Sequence, residues 1–305
     1  MADIIQVTAE KIRNFQIKGA RNIAIAAIEA LQIHTTQTKA QTKTQLLTEL
    51  KEAQTIFTTA KKTQPLMRNT LRSIINQTQT TPTQNITSLQ EAITTTTNQA
   101  LKDLETSREQ TAKNGAKHIQ NNTTVFTHCY SSTVTHLLSK AKEQNKTFQV
   151  ICTETRPAFQ GRITAKKLLK HDIETTLIVD SAVRTFIANT DLVIVGAEAI
   201  TSEGNVINKI GTSNIAVLAQ EAHKPFYVVS ELLKFDPETL SNVYEKIEQR
   251  NPDEIWKKAP PKLTIRNPAF DVTPNRYIHG LICEEGIITP QTIPEVVRRK
   301  YPWVF

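Results

Sequence analysis

The spacing of apolar residues changes character once along this chain, and that change restricts the folds open to it. After about Asn121, short apolar runs alternate with amphipathic stretches. "TTVFTHC", "TFQVICTE", "TTLIVD", "DLVIVGAE" and "PFYVVS" read as strands. "STVTHLLSKAKEQ", "GRITAKKLLKHD", "AVRTFIAN" and "SNIAVLAQEAHK" read as the helices between them. Near-continuous Val/Ile runs belong to strands covered on both faces, and strand–helix alternation builds a parallel sheet. Before that point, from Ala2 to about Gln120, apolar residues recur at helical intervals in five segments. The Thr/Gln-rich stretches among them, with Pro82 as a breaker, read as helix ends and loops. The expected fold class is α/β, with an N-terminal helical domain at residues 1–120 and an α/β domain with a mainly parallel sheet at 121–305.

A chain of 305 residues is comfortable for two domains. No apolar run approaches the roughly 18 residues that a membrane span needs. The opening "MADIIQVTAEKIRNF" mixes charged and apolar residues and does not read as a signal peptide, so a cytoplasmic location is the default. The net charge of +8, from 37 basic and 29 acidic residues, suits anionic ligands. There is no aromatic-rich RNA motif or dense basic arm, so direct nucleic-acid binding is not expected. Cys129, Cys152 and Cys283 are widely spaced, which predicts neither a disulfide framework nor a zinc site. No GxGxxG or Walker pattern occurs, and no cofactor is expected.

Ligands of parallel α/β sheets sit beyond the carboxyl ends of the strands. Those ends carry "THCYS", "TETRP", "DSA" and "GAEAI". Cys129 precedes a helix whose dipole can lower a thiol pKa, making a base or nucleophile, against the alternative of a small buried hydrophobe. Arg156 can hold a phosphate with its planar fork or pair with Asp180, and Gln160 and Gly161 add an amide and accessible backbone in the same turn. Asp180 can orient a sugar hydroxyl or cap the helix that follows it. In "NKIGTSN", Asn208, Lys209, a glycine and a capping Thr212 lead into a helix, which predicts an anion site at its N-terminus, with Lys234 as a second ammonium. "IKGARN", with Lys18, Gly19, Ala20 and Arg21, is another anion-friendly helix start. The converging lysines and arginines point to a phosphorylated ligand.

Taken together, "THCYS", "TETRPAFQGR", "VGAEAI…GNVINKIGT", "KPFYVV…KF" and "NPAFDVTP…GIITP" resemble the translation initiation factor 2B alpha/beta/delta family. That family also holds isomerases of methylthioribose 1-phosphate and of ribose 1,5-bisphosphate. The resemblance implies a Rossmann-like second domain that carries a sugar-phosphate site and a dimer interface, and self-association as a dimer or hexamer. It implies Cys129 and Glu198 as the acid–base pair of an isomerase, with Glu198 standing where the isomerases have aspartate. It also implies sugar-phosphate contacts from Lys18, Gly19, Ala20, Arg21, Gln64, Tyr130, Ser131, Ser132, Arg156, Gln160, Asn208, Lys209 and Lys234.

Three positions depart from the isomerase pattern: Lys18 for arginine, Gln64 for arginine and Glu198 for aspartate. Displacing a catalytic group by about 1 Å can cost on the order of 100-fold in rate. The expectation drawn from this is a regulatory or assembly subunit, similar to the alpha subunit of initiation factor 2B, that binds a sugar phosphate and partners initiation factor 2 subunits. The alternative is a ribose 1,5-bisphosphate isomerase making ribulose 1,5-bisphosphate with Cys129 and Glu198.

Overall fold

A computed structural model describes residues 3–244 and 246–305. The chain divides into two compact units. The first comprises residues 1–106, Leu233–Pro237 and Glu295–Phe305, and the second Ser107–Leu232 with Glu238–Pro294.

In the helical unit, α1 (Ile4–Arg13), α2 (Ala20–Thr36), α3 (Lys43–Ala60) and α4 (Pro65–Thr80) pack on one another, and α5 (Ile86–Ala116) begins here. Each helix has a local cause. Asp3 caps α1 by accepting the Ile5 N–H at 3.0 Å. Thr42 and Gln45 form a capping box on α3. Pro65 opens α4, where its missing N–H costs nothing. The helices bury Ile5, Ile28, Leu31, Leu50, Phe57 and Leu66. Helix α4 also gathers the later segments of this unit. Arg68 pairs with Asp236 at 2.7 Å, Asn69 donates to the carbonyls of Leu233 and Phe235, and Arg72 donates to the Val304 carbonyl. Nothing in the local sequence of residues 233–237 or 295–305 announces that grouping.

The second unit is an α/β sandwich. Strands β1 (Thr123–Thr127), β2 (Phe148–Thr153), β3 (Glu174–Ile178), β4 (Leu192–Val195), β7 (Phe226–Val229), β9 (Gly280–Cys283) and β10 (Gly286–Ile288) form a sheet of order β10-β9-β7-β4-β1-β2-β3. Every pairing is parallel except β9–β10. Helices α6 (Ser132–Glu143), α7 (Gly161–Leu169), α8 (Val183–Ile187), α9 (Thr212–Glu221) and α10 (Ile293–Lys300) complete the helices, α10 straddling the start of the last helical-unit segment. The core joins Val125, Val150, Ile194 and Val229 of the sheet to Leu137, Leu138 and Leu168 of the helices and to Ala112 and Ala116 of α5. A small antiparallel sheet of β5 (Ala199–Ile200), β6 (Val206–Lys209) and β8 (Phe270–Thr273) sits in the same unit.

The order 3-2-1-4-7-9 reverses between β1 and β4. That is the switch point at which the connections diverge and the carboxyl ends of neighbouring strands leave a crevice. Cys129 follows β1 and Glu198 follows β4. Among the described residues, no helix is long and apolar enough to cross a membrane.

Candidate functional site

The α/β unit brings the two expected acid–base residues to the switch point. After β4 the chain runs close beside the β1–α6 turn: a Cβ at Gly196 would lie 2.7 Å from the Ser131 Oγ, so this position tolerates only hydrogen. Ser131 caps α6 by accepting the Val134 N–H at 3.3 Å. Two residues beyond Gly196, Glu198 is half-buried, and its N–H donates to the Ile207 carbonyl at 2.9 Å. That bond ties the Glu198 turn to β6, which carries Asn208 and Lys209.

Cys129 lies at φ 66, in the left-handed region that costs a residue with a side chain about 1–2 kcal/mol. Its N–H donates to Thr155 Oγ1 at 3.0 Å, and its carbonyl accepts from Thr164 Oγ1 at 2.7 Å. Burial pushes the thiol up to about 11. The Lys209 ammonium and the Tyr130 N–H pull it back, while the Glu198 and Asp180 carboxylates push it further up. Of the two readings of Cys129, burial favours the small buried thiol over one acidified by the following helix. Desolvation outweighs the dipole, and Ser131 already takes a helix N–H. Cys129 therefore carries its proton at neutral pH.

His128, which the sequence quoted but gave no role, is 3% exposed and bonded at both nitrogens. Nε2 lies 2.9 Å from the Ile210 carbonyl and Nδ1 lies 2.6 Å from Thr153 Oγ1. A carbonyl only accepts, so Nε2 carries the proton and Thr153 donates to Nδ1. Burial lowers the pKa of the ring, which stays neutral.

The expected anion site ahead of α9 is corrected. Gly211, at φ 100, is the N-cap residue, and the N–H groups of Gly211 and Ser213 both donate to Asp271 Oδ2, at 2.7 and 3.1 Å. A carboxylate from β8 already occupies the positive end of the helix. Thr212 does not cap it: its hydroxyl donates to the Lys209 carbonyl at 2.6 Å and accepts from Asn208 Nδ2 at 3.1 Å. Burial raises Asp271 to about 6, against the pull of those two N–H groups. Asn208 and Lys209 are 8% and 7% exposed, and the Lys209 Nζ stands 5.3 Å from the Phe270 ring.

Asp180 neither caps the helix after it nor waits free for a hydroxyl. Its two oxygens accept the N–H groups of Thr155 and Arg156, at 2.8 and 2.6 Å, and hold the turn after β2. The Arg156 guanidinium is exposed, donates to the Ile255 carbonyl at 3.4 Å and lies 5.1 Å from the Phe159 ring. Gly161 starts α7 against β2, where a Cβ would meet the Thr153 carbonyl at 1.7 Å. Beside it, Gln160 Oε1 is buried with no partner among the described residues. Tyr130 lies under the Lys167 Nζ at 5.0 Å, and Ser132 begins α6. Beside this turn, His128, Thr153, Arg156, Asp180, Ser181 and Gly211 help line a cavity of about 580 Å³.

The remaining predicted residues belong to the helical unit. Lys18 and Gly19 are exposed, and Gly19, at φ 85, is the N-cap residue of α2. Ala20 is buried. The Arg21 guanidinium is tied to α5 through Glu105 and the Leu104 carbonyl. Gln64 is the 1% exposed N-cap residue of α4, and Lys234 is 5% exposed.

No motif or spacing singles out Thr155, Thr164, His128 or Asp271. Threonine is frequent throughout the chain, so no single one stands out. Asp271 lay inside a motif, "NPAFDVTP", but its partner Gly211 is distant in sequence.

Over residues 16–290 the chain matches the Initiation factor 2 subunit family. It is 38% identical to the ribose 1,5-bisphosphate isomerase of Pyrococcus furiosus over 304 residues, covering 97% of this chain and 94% of that protein. The ribose 1,5-bisphosphate isomerase of Methanocaldococcus jannaschii is 36% identical, with 99% and 97% covered. Among solved structures, the translation initiation factor eIF-2B of Pyrococcus horikoshii superposes with a TM-score of 0.83 at 28% identity, covering 95% of this chain and 98% of that one. The expectation of a regulatory initiation-factor subunit is overturned by these relatives: full-length similarity runs to isomerases. The departures at Lys18, Gln64 and Glu198 do not outweigh similarity along the whole chain.

Proposed function

The chain belongs to the Initiation factor 2 subunit family, and we propose that within it the chain is a ribose 1,5-bisphosphate isomerase, forming ribulose 1,5-bisphosphate. The observation that carries this reading is the pair at the switch point: Cys129 just after β1 and Glu198 just after β4, the two neighbouring strands whose connections diverge there. Converting the closed aldose to the ketose breaks the bond between C1 and the ring oxygen, puts one proton on that oxygen and takes one from the 2-hydroxyl, while the C2 hydrogen moves with its electron pair to C1 and C2 becomes the carbonyl. One donor and one acceptor therefore suffice, and atoms balance without a cofactor. In this reading the Cys129 thiol gives the proton to the ring oxygen and the Glu198 carboxylate takes the one from the 2-hydroxyl. Lys209 and Asn208 hold a phosphate, with Arg156 and Gln160 at the turn after β2.

The longer reach of glutamate is compatible with this because the turn that carries it is anchored to β6 through the Glu198 N–H. Incubating the purified protein with ribose 1,5-bisphosphate and following ketose formation tests the proposal. Turnover that disappears in Cys129→Ala supports it. An inactive wild-type protein that binds the sugar phosphate in calorimetry sinks it. Self-association as a dimer or hexamer is part of the same reading, and light scattering of the purified chain reads it directly.

A further inference from the structure

Cys129 is built into the protein in an unusual way. Its backbone is left-handed, and neither of its polar backbone groups bonds to a neighbouring strand or to its own helix in the contacts described above. Both go to side-chain hydroxyls: the N–H to Thr155 and the carbonyl to Thr164. The two threonines come from different elements, the turn after β2 and helix α7, and each is 1% exposed. Thr155 is itself fixed at φ 62, with its N–H on Asp180. The preceding residue is clamped as well, His128 lying between Thr153 and the Ile210 carbonyl. A single rotation about the Cys129 backbone would move the thiol relative to Lys209 and Glu198, whose charges both reach it.

We infer that Thr155 and Thr164 are positioning residues for Cys129, a two-sided hydroxyl clamp that keeps its backbone left-handed and its thiol in register with the substrate. They touch no substrate in this account; they act through the cysteine. The inference rests on the proposed isomerase reading for its kinetic half alone. A small displacement of an acid–base group costs on the order of 100-fold in rate. A backbone carbonyl that loses its buried donor drives such a displacement.

The test compares Thr164→Val, which keeps the shape and removes the donor, with Thr164→Ser, which restores it. Thr97→Val is the control, because Thr97 is equally buried and donates to the Ile93 carbonyl inside a helix of the other unit. The first readout is the rate of Cys129 alkylation by iodoacetamide across pH 7–10, resolved by peptide mass spectrometry, and it needs no turnover. In the wild type the thiol titrates at about 11 and reacts slowly. Thr164→Val should raise the rate at pH 8 about tenfold as the thiol loosens toward the ordinary range near 8.5. Thr164→Ser and Thr97→Val should leave it unchanged.

The second readout is kinetic. For Thr164→Val, kcat should fall about 100-fold with KM within about threefold, and Thr164→Ser should recover it. Wild-type alkylation and kcat in Thr164→Val, or an equal loss in Thr164→Ser, overturn the clamp. If Thr164→Val does not fold, Thr155→Val makes the same comparison from the other side. Failure of both to fold assigns the hydroxyls to the fold alone and also overturns it. A wild type without turnover sinks the isomerase reading and leaves the alkylation comparison standing, so the two failures are distinguishable.

Discussion

At the β1–α6 corner a residue with a side chain sits at φ 66, and neutral hydroxyls hold it there. At the β6–α9 corner a glycine sits at φ 100, and a carboxylate, Asp271, holds the turn. Both corners lead a strand into a helix, and both carry candidate chemistry. One holds a cysteine in a strained backbone, at the position where the proposed isomerase needs its thiol. The other spends no side chain on the strained position and places Asn208 and Lys209 on the regular strand just before it. Under the proposed isomerase reading the two corners would divide the labour, the first for proton transfer and the second, through Asn208 and Lys209, for the charge of the substrate.

The largest effects should follow that division. Cys129→Ala should lower kcat by about 100- to 10,000-fold, the usual contribution of a placed acid or base, with little change in KM. Lys209→Met should instead raise KM for the sugar phosphate about 10- to 100-fold, the worth of a charge-assisted contact. Steady-state kinetics on the two variants checks this. If both substitutions act on the same parameter, the corners do not divide the work.

Next in size are the backbone consequences. Gly211→Ala puts a Cβ at positive φ and 3.3 Å from the His128 ring, and should cost about 1–2 kcal/mol in urea denaturation. Cys129→Gly relieves a similar strain and adds freedom to the unfolded chain, so the two effects should cancel to within about 1 kcal/mol. A large loss in Cys129→Gly would mean that the side chain, rather than the backbone, is what the corner stabilises.

How much of this the sequence showed depended on how local each cause was. The five Val/Ile runs became β1, β2, β3, β4 and β7, and in all but β3 the run is mostly buried on the sheet. The edge strand β3 is the leanest of them, and its Leu177 is 43% exposed. Strands β5, β6 and β8 to β10, two to four residues long, do not stand out in sequence from the loops around them. Cys129 could be noticed because strand ends are where ligands bind, whereas the role of Glu198 came from the family resemblance. The hydroxyl clamp could not, since it depends on which of many threonines meet in space. Nor could Asp271, which sits opposite Asn208 in the β6–β8 ladder and reaches a glycine far from it in sequence. The choice between an acidified and a buried thiol was open for the same reason: a helix start is visible in sequence, whereas desolvation belongs to the packed structure.

The smallest expected effect separates the corners by the sign of their pH dependence. His128 is buried neutral with its pKa lowered, so the unfolded chain binds the extra proton first. Its contribution to stability is complete above about 6.5, the ordinary histidine value, and is lost as pH falls through the folded value. Asp271 runs the other way. Its folded pKa of about 6 lies above the ordinary value near 3.9, so the folded chain holds the proton longer. Its contribution is complete below about 4 and is lost as pH rises through 6. Asp271→Asn removes that second slope. Between pH 4 and 7 the wild type should lose about 1 kcal/mol relative to this variant, a figure reduced from the full shift because solvent reaches the half-buried carboxylate. His128→Gln should show the opposite trend, gaining on the wild type as pH falls below 6.5. Thermal melts of the three proteins across that range read both slopes. Parallel curves for wild type and Asp271→Asn would mean that the carboxylate stays ionised throughout, its two N–H donors outweighing the burial that raises it.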